Sequence, residues 1–136
     1  MKDTGKKFMR DTYYDRTSQS PQEEGVPQPA LELPIPEDAV QIPLPKIESF
    51  ELPQMTLVES ILQRRSLRRY SDEALTLEEL SLLLFTSQGI QQLRETSKMK
   101  VTFRTVPSAG ARHAFETFLL INRVEGVPAG LYRYST

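Results

Sequence analysis

Four arginines fall within six residues in the stretch Arg64-Arg65-Ser66-Leu67-Arg68-Arg69-Tyr70, beside a serine hydroxyl. Guanidinium forks match the geometry of phosphate oxygens and stay charged at any physiological pH, so the chemistry this cluster suits is the binding of an anion, most economically a phosphorylated ligand. The same pattern also serves as a solvated helix face or as partners for nearby acids. A second stretch, Pro107-Ser108-Ala109-Gly110-Ala111, is a run of small residues. Backbone N–H groups and the Ser108 hydroxyl could approach a flat or phosphorylated ligand there without an intervening side chain, although an ordinary turn has the same composition. His113 is the sole histidine and cysteine is absent. Disulfides, thiolate nucleophiles and thiolate metal sites are thereby excluded, and neither a zinc site nor a histidine base is expected.

The elements that must position these residues are legible from caps and periodicity. Thr56-Leu57-Val58-Glu59 has capping-box spacing, and Leu57, Val58, Ile61 and Leu62 follow as an apolar face. This predicts a short helix that delivers Arg64 and Arg65 at its C-terminal end, where cations suit the helix dipole even without a ligand. Thr76-Leu77-Glu78-Glu79 repeats the box, and the stripe Leu77, Leu80, Leu83, Leu84 and Phe85 predicts a second helix that stops at Gly89. Residues 91–100 are polar and without periodicity, which reads as a loop. Residues 101–106 alternate as an extended segment, residues 115–124 read as a buried strand although their length also permits a helix, and Leu131 to Tyr134 reads as a returning strand after the turn chemistry of residues 125–130. Residues 56–136 therefore offer two helices and about three strands, with little room for an enclosed site.

Residues 1–55 hold 8 of the 10 prolines, spaced so that no helix could propagate between them. They read as an extended, Pro-rich arm whose apolar residues, Leu31 to Ile47, suit a strap laid along a surface, with a disordered tail as the alternative. The arm carries 6 basic and 10 acidic residues and the remainder 11 basic and 8 acidic. That balance is too mild for a general nucleic-acid surface, and no nucleic-acid partner is expected. No apolar run could span a bilayer and no secretory signal is evident, so a cytoplasmic protein without membrane association is expected.

Taken in order, these segments resemble the N-terminal half of a nitroreductase-superfamily flavoprotein, and within that superfamily the SagB-type dehydrogenases. The resemblance rests on Arg64 to Tyr70, on Leu77 to Leu84 with Gln88-Gly89-Ile90, on Arg104 to His113, on Glu116 to Gly126 and on Gly130 to Tyr134. Phe8-Met9-Arg10 and Gly25-Val26-Pro27-Gln28-Pro29 resemble the stretch that precedes the domain in that group. The resemblance implies an α+β, FMN-binding fold: an arm over residues 1–55, then the N-terminal half of a nitroreductase-like domain over residues 56–136, dimeric with the flavin at the subunit interface. It implies that Arg64 and Ser66 contact the FMN phosphate, Arg65 the ribityl-phosphate region and Arg68 the pyrimidine edge of the ring, while Pro107, Ser108, Ala109 and Gly110 line the partner's flavin. Ala114 stands where the group usually has proline after the Arg-His pair.

The C-terminal half of the family domain is not represented in these 136 residues, so a truncated or split form is expected, working as a homodimer or with a complementary chain. The expected reaction is two-electron flavin redox on a small-molecule or peptide substrate, with NAD(P)H as one candidate electron donor. No residue is nominated as a general acid or base. The competing expectation is a non-catalytic domain acting only in dimerisation or in pairing with a separate chain.

Overall fold

The computed structural model describes residues 3–16, 18–52, 54–97 and 99–136. It contains two compact units, one up to Ala30 and one from Leu31 to Thr136. In the first, helix α1 spans Thr4–Asp11 and buries none of its residues. The expectation of an extended arm does not hold there. The first proline is Pro21, so the spacing that forbids helix further on has no force over residues 4–11, and α1 is closed by the Thr12 hydroxyl donating to the Phe8 carbonyl at 2.8 Å. Ser20 and Glu23 then set a turn, the Ser20 N–H and hydroxyl both donating to Glu23 Oε2, and Gly25 supplies the left-handed backbone at φ +79° that closes it. Pro53 and Lys98, which belong to the expected arm and loop, lie outside the described residues.

The second unit contains helices α2 (Leu57–Gln63) and α3 (Leu77–Gln88), each opened by the capping box its sequence announces. In α2 the Glu59 N–H donates to Thr56 Oγ1 at 3.2 Å and the Thr56 N–H to Glu59 Oε2 at 2.9 Å. The Thr56 N–H and the Thr56 hydroxyl, both donating to Glu59 Oε2, hold the exposed Glu59 carboxyl below its ordinary range. Helix α3 stops at Gly89 as expected, but for a different reason. Gly89 is extended (φ −60°, ψ 142°) rather than left-handed, and glycine is required because a Cβ would stand 2.4 Å from the Phe85 ring and 2.6 Å from its carbonyl.

Four strands form two separate antiparallel pairs. Strands β3 (Thr117–Ile121) and β4 (Gly130–Tyr134) match the expected strand and its return, in a register that sets Leu119 against Tyr132, but β3 is covered on one face only, with Phe118 and Leu120 exposed. Strands β1 (Ile90–Glu95) and β2 (Lys100–Arg104) form the other pair, which overturns the expected loop over residues 91–100. The reason is physical: beyond Ile90 every residue of β1 is exposed, so neither face carries an apolar alternation for sequence reading to detect. Cross-strand pairs take the place of burial, with Lys100 Nζ 2.8 Å from Glu95 Oε1 and the Arg94 guanidinium 4.9 Å from the centre of the Phe103 ring.

The core lies where α3 crosses the β3–β4 pair. Leu80 and Leu84 from the helix meet Ile121 and Val124, flanked by Leu44, Leu77, Leu119, Val127, Tyr132 and Tyr134. The mixture of helix with small antiparallel sheets is compatible with an α+β fold. Leu44 joins this core from the proline-rich stretch, and the nearby Ser81 hydroxyl donates to the Pro45 carbonyl at 2.7 Å. No described helix is long and apolar enough to cross a membrane.

Candidate functional site

The arginine stretch begins at the last turn of α2. Arg64 closes the helix, its N–H donating to the Ser60 carbonyl at 3.0 Å, and then turns the chain into the extended region. Its side chain reaches Ser66, with Nη1 3.4 Å from the serine Oγ, so a guanidinium and a hydroxyl stand together. Arg65 turns back instead, donating from Nη1 to the Leu62 and Arg64 carbonyls at 2.9 Å each. It satisfies carbonyls that the helix end leaves unpaired, which is the structural use of a cation at that place. Residues 64–70 are all exposed, and among the described residues none of the four arginines forms an ion pair. Of the two structural readings of the cluster, partnership with nearby acids is therefore not realised. Solvated guanidiniums are.

The small-residue run follows β2. Ser108 is extended, Ala109–Ala111 makes one 3-10 turn, and Gly110 takes φ +66°. The Ser108 hydroxyl oxygen accepts the His113 N–H at 3.1 Å, leaving its own proton to donate elsewhere. Ala111 (φ 53°) and His113 (φ 45°) are also left-handed without being glycine, a conformation that costs each about 1 kcal/mol and that surrounding structure must hold in place. Pro107, Ser108, Ala109 and Gly110 are exposed. Among the described residues no hydrogen bond or ion pair joins residues 64–70 to residues 107–110. The structure thus brings Arg64 and Ser66 together, and holds the small-residue run as a separate turn.

Two features escaped sequence reading. The first is a polar junction centred on Glu32. Its Oε1 lies 2.7 Å from Arg104 Nη2, and the two side chains are 19% and 6% exposed. Oε2 accepts the Ser135 hydroxyl at 2.9 Å and the Thr136 N–H at 3.1 Å, while the Thr136 hydroxyl also bonds Oε1. Burial pushes the Glu32 carboxyl up, but the bonds from Thr136, Ser135 and Arg104 outweigh it and hold the group below the ordinary carboxylate range. Arg104 also donates to the Gln88 carbonyl at 3.2 Å, and its Nε is buried without a partner. An acid in a proline-rich stretch gives no sign of a partner 72 residues away.

The second feature is a cleft of about 860 Å³ between residues 35–48 on one side and α3, β3 and β4 on the other. None of residues 64–69 or 107–110 lines it. Among the described residues no group of three or more acids and histidines is placed to hold a metal ion.

Comparison with known proteins gives one informative likeness. The chain is 38% identical over 89 residues to a protein of Methanocaldococcus jannaschii named "putative nitroreductase", a match that covers 65% of this chain and 41% of that relative. This likeness supports a place in the nitroreductase superfamily. The chain spans less than half the length of the relative it matches. No family model matches.

Proposed function

We propose that the chain is part of an FMN-dependent oxidoreductase of the nitroreductase superfamily, of the SagB-type dehydrogenase kind, and that Arg64 and Ser66 hold the cofactor phosphate. The observation that carries this reading is the pairing of Arg64 with Ser66 on the surface, in a group of four guanidiniums that no acid among the described residues neutralises. The donor set fits a phosphate: Arg64 offers its remaining N–H groups and Ser66 keeps its proton to donate, while Arg68 supplies a cation for the pyrimidine edge of the ring. Arg65 contributes charge near the ribityl-phosphate region while its Nη1 stays on the helix end. Pro107, Ser108, Ala109 and Gly110 fit the close approach of a flat ring, because they are exposed and carry little side-chain bulk. When bound, FMN supplies two-electron redox chemistry, in which a substrate is reduced with electrons from NAD(P)H or a peptide azoline is oxidised.

The two halves of this pocket are not joined within the chain, which supports a pocket shared with a second copy or a complementary chain. Helix α2 supports the same reading, since Leu57, Val58, Ile61 and Leu62 are all exposed and form an apolar strip beside the arginines. That strip equally favours the competing reading, a non-catalytic domain that only dimerises or pairs. Flavin binding separates the two. Titration of purified chain into FMN should quench flavin fluorescence saturably, and substitution of Arg64 and Ser66 by alanine should weaken that binding about tenfold or more. A chain that leaves FMN fluorescence unchanged at excess protein is the non-catalytic domain.

A further inference from the structure

The cleft between residues 35–48 and the α3/β3/β4 core has the size of a small-molecule site, within the usual range of roughly 300–1,000 Å³. Its walls are aliphatic and aromatic, with Ile42, Leu84, Phe85, Leu119 and Tyr132 among them. Most polar side chains facing it are already engaged. The Ser81 hydroxyl donates to Pro45, the Tyr132 hydroxyl to Pro128 at 2.9 Å, and Arg133 Nη2 to the Pro34 carbonyl at 3.0 Å, while Ser135 and Thr136 are tied to Glu32. Lys46 and Glu48 at the mouth have opposite charges and Gln41 sits on the exposed rim, so the mouth favours neither an anion nor a cation. What remains is Tyr134, half-buried on the core face of β4, whose hydroxyl makes no hydrogen bond to any described residue. Burial pushes its phenol up; Arg104 opposes that and Glu32 adds to it, so the group is a protonated donor at neutral pH.

We infer that this cleft binds an uncharged, apolar small molecule bearing a carbonyl-type acceptor, which lies against the aliphatic and aromatic wall and accepts a hydrogen bond from the Tyr134 hydroxyl. The site is independent of the arginine stretch. The Tyr134 hydroxyl has no partner among the described residues but is not sealed from water; a ligand acceptor takes the bond that water otherwise fills, whereas an apolar ligand lacking an acceptor excludes that water and leaves the bond unmade. The stretch over residues 36–43 covers the cleft between two anchors, Glu32 to Pro34 at one end and Pro45 at the other. Among the described residues its other backbone bond is local, from the Ala39 N–H to the Pro36 carbonyl.

The test uses the whole chain and two fluorescent probes, the ketone 6-propionyl-2-dimethylaminonaphthalene and the same ring system without the carbonyl, 2-dimethylaminonaphthalene. The ketone should bind saturably with a blue-shifted emission. Tyr134→Phe should weaken the ketone about five- to tenfold and leave the carbonyl-free probe unchanged, a pattern that loss of folding cannot produce. Ala39→Trp, which places bulk on the cleft wall from an exposed position, should weaken both. In the unmutated chain, methyl resonances of Ile42, Leu84 and Leu119 should shift on adding the ketone, and those of Leu57 and Ile61 should not. Absence of binding, binding that Ala39→Trp leaves intact, or shifts confined to Leu57 and Ile61 overturns the site. An equal effect of Tyr134→Phe on the two probes overturns the hydrogen bond and with it the carbonyl class.

Discussion

Arg104 is 6% exposed and meets a carboxylate at 2.7 Å, whereas Arg64, Arg65, Arg68 and Arg69 lie on the surface and meet none among the described residues. The difference follows from solvation. A guanidinium taken out of water costs several kcal/mol unless a carboxylate and further acceptors replace the lost hydration, so Arg104 comes with Glu32 and the Gln88 carbonyl. A guanidinium left in water has no such requirement and remains free to meet an anion that arrives later. Burial and partnership mark the arginine that holds the chain together. Exposure without a carboxylate marks those available for binding, although Arg65 also caps the end of α2.

The largest effect should come from breaking the buried pair on one side. Arg104→Met leaves Glu32 with only its Ser135 and Thr136 bonds and should cost about 3 kcal/mol of unfolding free energy by urea denaturation. The double change Glu32→Leu with Arg104→Met should recover most of that loss, because two apolar side chains strand no charge. If the double variant is as unstable as Arg104→Met alone, the junction is packing rather than electrostatics.

Glu32→Gln should cost less, about 1.5 kcal/mol at neutral pH, since the amide keeps part of the hydrogen bonding and loses the charge. The pH dependence has a definite sign. The carboxyl is held below its ordinary value of 4.5 in the folded chain, so its stabilisation is present above that value and is lost as the pH falls through the lower folded-state value. Wild type and Glu32→Gln should therefore converge in stability on acidification from pH 5 downward. A gap that stays constant into that range would mean the carboxylate charge contributes nothing.

Arg65→Ala should cost about 0.5 kcal/mol, because the side chain caps carbonyls at the end of α2 in an exposed position. The capping logic of that helix was fully legible. Thr56 with Glu59 and Thr76 with Glu79 announced both N-termini because a capping box is a local device written within four residues, and the leucines after Thr76 announced the face that forms the core. Strand β1 was not legible. Gln91, Gln92, Arg94 and Glu95 are exposed and owe their extended form to partners on β2 that only the fold supplies. Helix α1 precedes Pro21, so the prolines that dominate residues 1–55 as a group do not act on it. Of the candidate site, residue types were readable but neighbourhood was not: that Arg64 reaches Ser66 while Arg65 turns back to Leu62 depends on rotamers that spacing does not specify.

The smallest effect on stability belongs to Arg64 and Ser66, and it is the one that sharpens the contrast most. Their single contact is a 3.4 Å bond in full solvent, so the double alanine variant should unfold within about 0.5 kcal/mol of wild type. Its FMN affinity, on the phosphate assignment, should still fall about tenfold or more, since each charge-assisted bond to phosphate is strong. A stability loss comparable to that of Arg104→Met would place Arg64 with the arginines that hold the fold. Unchanged stability with unchanged FMN affinity would leave Arg64 and Ser66 as a solvated helix end. Only loss of affinity at constant stability separates a guanidinium kept for a ligand from one kept for the fold.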